Sequence, residues 1–318
     1  MRNILVTGGA GFIGSALAKR LIKEKDNFIV IADDLSTGSV EKLPDPKQKN
    51  WKFIKCDLNN YRDISEVMLS FNFDFVFHYA AVVGVQRTLD NPVSVLKDIE
   101  GIKNILNIAK NHGTERIFFS SSSEVYGEPV DLPQNELTTP LNSRLPYAVV
   151  KNLGEAFLRS YKREFNLNYT IFRLFNTYGP DQSIDFVMSK FIRLAIRNED
   201  INVYGDGTQA RTFCFIDDHI DSTVNAFQND LFVNDVVNIG SDVEVTIKEL
   251  AALVIDITNS KSTIVHVDPL PEGDMLRRLP DITNMKKLLN RDLTPISEGI
   301  KKVLESGKFS KESLTAHE

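Results

Sequence analysis

The amino-acid sequence predicts an α/β protein: a doubly wound parallel sheet with a smaller C-terminal substrate-binding lobe. Three observations carry that expectation. Short, continuously apolar runs alternate with helix-period stretches through the first half of the chain, and strands apolar on both faces belong to parallel sheets covered by helices. A glycine-rich turn, Gly8 to Gly14, joins the first apolar run directly to the first helical stretch. After about residue 177 the elements shorten and turn residues multiply.

Taken in order, Ile4-Leu5-Val6 reads as a buried strand and residues 12–24 as a helix. Phe28–Ile31, Phe53-Ile54 and Phe73 to Phe77 are the second, third and fourth strands. Residues 92–112 carry Val95, Ile99, Ile102, Ile105, Leu106 and Ala109 at helical spacing, and Arg116–Phe119 is the fifth strand. A helix from about 147 to 165 leads into Tyr169–Phe172, the sixth strand. Right-handed crossovers between parallel strands complete the doubly wound topology. Gly179-Pro180 and Gly205-Asp206-Gly207 then mark turns, and Gly240, Pro269, Pro271, Gly273, Pro280 and Pro295 punctuate the remainder. A helix starting near Asp217 is expected to return to the main domain. The expected division is residues 1–176 with 211–234 as a dinucleotide-binding domain, and 177–210 with 235–318 as the lobe. The polar tail, Lys308 to Glu318, is expected to fray.

Composition excludes several classes of function. The 318 residues suggest about two domains at ~150 residues each, and 42% hydrophobic with 25% charged residues is too apolar for a disordered chain. Only Cys56 and Cys214 are present, which leaves no disulfide framework or Cys-rich metal centre and fits a reducing compartment. Five scattered His show no metal-ligand spacing, so no metal is expected. The net charge of −6 argues against coating nucleic acid, and no apolar run approaches the ~20 residues of a membrane span. The first residues enter a strand at once, without the pattern of a signal peptide, so a cytoplasmic enzyme without membrane or nucleic-acid partners is expected.

The motifs point to chemistry. In Gly8-Gly9-Ala10-Gly11-Phe12-Ile13-Gly14 the strand–turn–helix context lets amides at a helix N-terminus cradle a pyrophosphate, the signature of a Rossmann-like domain. Strand two ends in Asp33-Asp34, where a carboxylate accepts hydrogen bonds from ribose hydroxyls and repels a 2′-phosphate, favouring NAD over NADP. Cys56-Asp57-Leu58 follows strand three, where a side chain can meet the adenine. Tyr147 and Lys151 stand four residues apart on one helix face. A phenol working as a base near neutrality needs its ordinary value near 10 lowered by roughly three units, about 4 kcal/mol, which a neighbouring ammonium helps to supply. The run Ser120-Ser121-Ser122-Ser123-Glu124 leaves the carboxyl end of strand five, the ligand side of such sheets.

Together these residues resemble the extended short-chain dehydrogenase/reductase family, in its nucleotide-sugar epimerase, dehydratase and decarboxylase branch. The likeness continues through His78-Tyr79-Ala80-Ala81, Phe172 to Pro180, Gly205 to Arg211 and Asn238-Ile239-Gly240. It implies NAD held by Gly8, Gly11, Phe12, Ile13, Gly14, Asp33, Asp57, Leu58 and Ala80, with Tyr147 and Lys151. It implies Ser122 and Tyr147 on the sugar O4, Tyr147 as base, and Lys151 on the nicotinamide ribose. It also implies nucleotide-diphosphate contacts from Asn176 and Arg211 and a ribose contact from Asp274. His78 reads as structural.

The branches share C4 oxidation and differ in the fate of the resulting ketone. A 4,6-dehydratase typically carries an Asp-Glu pair where this chain has Ser123-Glu124, so dehydration is disfavoured. Three features resemble UDP-glucuronate decarboxylases: Ser122 to Gly127 with Glu124 beside the serine, Arg144 three residues before Tyr147, and Arg278-Leu279-Pro280-Asp281-Ile282, whose Arg serves catalysis. Either Arg277 or Arg278 can fill that last role on sequence alone. Ser123 and Arg144 are then substrate contacts. Pro271 to Asp274 looks epimerase-like, and a UDP-sugar 4-epimerase acting on UDP-glucose, UDP-GlcNAc or UDP-glucuronate is the alternative. A non-catalytic NAD-binding protein is disfavoured because Tyr147 and Lys151 are both present. Helices 92–112 and 147–165 form a four-helix interface in relatives, which implies a homodimer.

Overall fold

The structure, a computed structural model, describes residues 1–83, 88, 90–269 and 277–309. The chain opens with β1 (Arg2–Thr7), α1 (Phe12–Leu21), β2 (Asn27–Asp33), β3 (Trp51–Lys55), α2 (Tyr61–Phe71) and β4 (Phe75–His78). It continues with α3 (Pro92–Ala109), β5 (Arg116–Ser122), a 3-10 turn (Ser123–Tyr126), α4 (Pro146–Phe165) and β6 (Asn168–Leu174). With β11 (Asp235–Ile239) these strands form one seven-stranded sheet in the order β11-β6-β5-β4-β1-β2-β3. The pairs from β3 to β6 are all parallel. Strand order reverses between β1 and β4, and the carboxyl ends of strands at such a switch point are where ligands bind.

Local sequence explains the elements. α2 starts at Asn60, whose side chain accepts from the Arg62 amide, and stops at Asn72 with a φ of 45°. α4 opens on Pro146, a residue pre-set for the first helical position, and ends at Asn166 in the left-handed region. One face of the sheet buries Leu5, Val30, Val76, Ile117 and Ile171 against Ile64 and Met68 of α2, Ile102 and Leu106 of α3, and Val150 and Leu158 of α4. On the other face Phe77 stacks on Phe118 at 4.4 Å, and Phe227 meets both rings edge-on.

The chain divides into two compact units. The first holds residues 1–127, 140–174 and 220–238, and the second 128–139, 175–219 and 239–318. This differs from the sequence-derived boundaries in four places: residues 128–139, 175–176 and 211–219 fall in the second unit and 235–238 in the first. Residues 211–219 are held there by the pairing of β9 (Ala210–Thr212) with β12 (Glu244–Thr246) and of β10 (Cys214–Phe215) with β7 (Thr177–Tyr178). Residues 128–139 join the second unit because Gln134 pairs along its backbone with Leu279 and Asp281 at 2.7 and 2.8 Å. Most of β11 joins the first, since Val236 and Val237 are buried in the sheet and the Asn234 amide donates to the Tyr169 carbonyl. The helix expected near Asp217 is α6 (Ile216–Gln228); its last carbonyls, at Ala226 and Phe227, accept from the buried guanidinium of Arg116.

The second unit contains β7 (Thr177–Tyr178), α5 (Val187–Arg197), β8 (Ile201–Tyr204), β9 (Ala210–Thr212) and β10 (Cys214–Phe215). It also contains β12 (Glu244–Thr246), α7 (Ile247–Thr258), β13 (Ile264–Val267), α8 (Thr283–Leu289) and α9 (Ile296–Glu305). Its strands form the pairs β10–β7, β12–β9 and β13–β8. Pro271 to Asp274 and the tail beyond Phe309 lie outside the described residues. No described helix is long and apolar enough to cross a membrane.

Candidate active site

β1 delivers the chain into a turn that only small residues allow. Gly8 has a φ of 66°, and a Cβ there would stand 2.6 Å from the Ala80 nitrogen. A Cβ on Gly14 would run into the Gly8 carbonyl and stand 2.9 Å from the Gly9 Cα. Gly11 is the N-cap of α1 and contributes no side-chain cap, so the amides of Phe12 and Ile13 enter the helix without intrahelical acceptors. Thr7 Oγ1 meets His78 Nδ1 at 2.8 Å and accepts from the Tyr79 amide at 3.2 Å, which holds the segment after β4 against the turn. His78 is buried and its imidazole is pushed down to about 3, chiefly by burial and further by Lys151.

Asp33 closes β2, nearly buried, with Oδ2 accepting from the Ala10 amide at 3.0 Å and Oδ1 from the Leu35 amide at 2.8 Å. Burial raises its pKa against the lowering by these two bonds. Each oxygen keeps a further lone pair for a ligand hydroxyl. Asp34 is exposed and accepts from the Ser36 amide, a loop acid. Asp57 is likewise exposed and accepts from the Asn59 amide. Leu58 is a core residue. Sequence reasoning missed Gly38, whose Cβ would stand 2.7 Å from Asp33 Oδ1; a glycine five residues beyond the acid was the available signal. An uncapped helix end, a turn that Cβ atoms would fill and a carboxylate at the next strand end fit a dinucleotide.

Tyr147 and Lys151 lie in the first two turns of α4. The Lys151 ammonium donates to the Ser120 carbonyl at 2.6 Å and stands 5.9 Å from the centre of the Tyr147 ring. Burial pushes it down to about 8, and Asp98 on α3 opposes that shift. Sequence reasoning missed Asp98, which accepts from the Val82 amide at 2.6 Å; its signal was an acid on the apolar stripe of α3, three residues after Val95 and four before Ile102. The serine run divides in use. Ser120 Oγ donates to the His78 carbonyl, Ser121 Oγ donates to Glu155, and Ser122 Oγ accepts from the Glu124 amide. Ser123 is buried, Glu124 half-buried and Arg144 exposed. The structure therefore joins Tyr147 and Lys151 to the serine segment.

In the second unit, Asn176 has a φ of 31°, and its Nδ2 donates to the Thr212 carbonyl at 3.0 Å. Arg211 lies on β9 opposite Val245, with Nη1 donating to the Ala210 carbonyl. The two late arginines separate clearly. Arg277 is exposed and ion-paired with Glu244, whereas Arg278 is 6% exposed. The segment after Arg278 is clamped by the Gln134 pairing and by Asn135 Nδ2 donating to Asp281 at 2.9 Å. Among the described residues no group of His, Cys, Asp and Glu forms a metal-binding cluster.

Residues 4–240 match the model of the NAD dependent epimerase/dehydratase family. The chain is 36% identical to UDP-glucuronic acid decarboxylase 5 of Arabidopsis thaliana, over 90% of this chain and 83% of that protein. It is 35% identical to UDP-N-acetyl-alpha-D-glucosaminuronate decarboxylase of Bacillus cytotoxicus, over 90% of this chain and 91% of that one. Its fold is similar to the crystal structure of UDP-glucose 4-epimerase from Thermotoga maritima with UDP-glucose, with a TM-score of 0.89, 30% identity, and coverage of 95% and 97% of the two chains. With its glycine turn, acid-terminated β2 and Tyr147–Lys151 helix, this chain belongs to the NAD dependent epimerase/dehydratase family.

Proposed function

We propose that this protein oxidises C4 of a UDP-linked sugar and that its reaction is decarboxylation of UDP-glucuronate, to UDP-xylose or its 4-keto form. The observation that carries the choice is Arg278, buried beside an exposed and paired Arg277 in a chain similar to UDP-glucuronic acid decarboxylase 5 over 90% of its length. Bound NAD supplies an acceptor for hydride from C4 and can give it back. Tyr147 takes the O4 proton, and Ser122 donates a hydrogen bond to O4. The Lys151 ammonium, anchored on the Ser120 carbonyl, stabilises the phenolate electrostatically. With its pKa at about 8 it is still mostly protonated at pH 7.

Oxidation at C4 sets a ketone beta to the C5 carboxylate. The electron pair of the bond to the departing CO2 passes into an enolate, and a proton then returns to C5. In this reading Arg278 holds the carboxylate, and Glu124 orients or supplies the proton. Ser123 and Arg144 contact the sugar, while Asn176, Arg211 and Asp274 hold the nucleotide, with arginine's planar fork suited to a diphosphate. A 4-epimerase reading draws on the likeness to the Thermotoga maritima enzyme.

Incubation with UDP-glucuronate, UDP-glucose and UDP-N-acetylglucosamine in separate reactions decides between them. Loss of the mass of one CO2 from the first supports decarboxylation. An unchanged mass with an inverted C4 replaces it by epimerisation, and no product from any of the three sinks both. We also propose a cytoplasmic homodimer joined through α3 and α4, whose outer faces expose Val93 (69%) and Leu153 (43%). Sedimentation showing a monomer at micromolar concentration overturns the dimer.

A further inference from the structure

Beneath the candidate catalytic residues lies a buried ionic network that the proposed chemistry does not use. Glu155 and Arg173 are each 1% exposed. The Arg173 fork donates Nε to Glu155 Oε1 at 2.9 Å and Nη2 to Oε2 at 2.8 Å. Its remaining nitrogen, Nη1, donates to the Tyr126 hydroxyl at 2.9 Å, and that hydroxyl donates to Asn238 Oδ1 at 2.7 Å. Ser121 Oγ also donates to Glu155, at 2.6 Å.

We propose that Glu155, Arg173 and Ser121 are positioning residues that set α4 and the Ser122–Glu124 turn in register; the inference rests on the assignment of Tyr147, Lys151 and Ser122 above. Tyr147, Lys151 and Glu155 are spaced i, i+4, i+8 and share one face of α4. The helix is tied to β5 at two successive levels: Lys151 on the Ser120 carbonyl and Glu155 on the Ser121 hydroxyl. Two ties one turn apart fix both the slide and the rotation of a helix, which a single tie does not. A Cβ on Gly154 would stand 2.6 Å from the Phe119 ring, so only glycine lets α4 approach β5 this closely. Arg173 then reaches past the helix to Tyr126 at the end of the 3-10 turn that begins after Ser122. One guanidinium thus braces both the helix bearing the base and the turn bearing the hydroxyl. A buried ion pair is a poor source of stability compared with apolar packing of the same volume, which makes geometric specificity its better explanation here.

Ser121→Ala removes one hydroxyl, and Glu155→Gln keeps the shape while removing the charge. Each is made in the NAD-loaded protein. In each, kcat on the nucleotide sugar turned over by the wild type is expected to fall at least 10-fold with KM within 2-fold. Amide exchange at residues 147–151 is expected to accelerate at least 10-fold, with β1 and β4 unchanged. A kcat within 2-fold of wild type together with unchanged exchange at 147–151 overturns the proposal. So does acceleration spread evenly over the sheet, which marks a stability brace alone. If Glu155→Gln does not fold, Ser121→Ala decides. Absence of wild-type turnover on every nucleotide sugar counts against the proposed function, while the exchange readout still decides the positioning role.

Discussion

Lys151→Met is the sharpest test of the proposal that the site makes Tyr147 a base. The ammonium stands 5.9 Å from the Tyr147 ring centre. At an effective dielectric near 20, Coulomb's law gives about 3 kcal/mol between a phenolate and an ammonium at that separation. Removing the charge therefore lowers the reactive phenolate about 100-fold at neutral pH. The same side chain sets the alkaline limb. Its pKa lies at about 8 because burial disfavours the charged form, so turnover in the wild type falls as pH rises through about 8 and the ammonium loses its proton. The variant is expected to lose that limb and to gain activity as pH rises instead. Its melting temperature stays equal or rises, because a desolvated charge has been removed. Steady-state kcat from pH 6 to 10, with thermal melts on the same samples, measures both effects. Variant kcat within 3-fold of wild type at pH 7.5, with the same alkaline limb, rules out Lys151 as the source of the phenol's basicity.

Three further outcomes are expected from the same geometry. Asp33→Asn keeps one acceptor oxygen, turns the other position into an NH2 donor and removes the charge that repels a 2′-phosphate, so the preference for NAD over NADP measured by titration is expected to fall at least 10-fold. Arg278→Met is expected to reduce kcat at least 100-fold, whereas Arg277→Met, at the exposed Glu244 pair, leaves it within 3-fold. His78 and His219 are buried with imidazoles pushed down to about 3 by burial. Between pH 6.5 and about 3 the unfolded chain binds protons that the native state does not. Stability therefore falls as pH falls through that window, by at most roughly 5 kcal/mol per histidine. Urea denaturation at pH 7 and pH 5 measures the loss, and equal midpoints count against it.

The local chemistry was legible because its signals are short-range. The glycine turn, Asp33 at a strand end and the four-residue spacing of Tyr147 and Lys151 each declare themselves within a few residues. α2 was not resolved as an element, because its buried face is only Ile64, Val67 and Met68 on an otherwise polar helix. β11 went unread as a sheet strand because two valines in polar surroundings do not announce one. The choice between Arg277 and Arg278 is invisible in sequence, since neighbours in an extended segment face opposite ways. Their surroundings differ through distant chain: Arg277 pairs with Glu244, and the segment after Arg278 is held from 146 residues away, where Asn135 donates to Asp281. Glu155 reads in sequence as one half of an ordinary i, i+4 pair with Arg159, while its buried partners, Ser121 and Arg173, are 34 and 18 residues distant.

The proposed chemistry stands or falls on removal of hydrogen from the sugar C4 as its first step. UDP-glucuronate carrying deuterium at C4, given to the NAD-loaded protein, isolates that step. A primary isotope effect on the oxidation is expected in a single turnover, with deuterium back on C4 of any UDP-xylose formed. Turnover at an unchanged rate, or product whose C4 hydrogen comes from solvent, contradicts the mechanism.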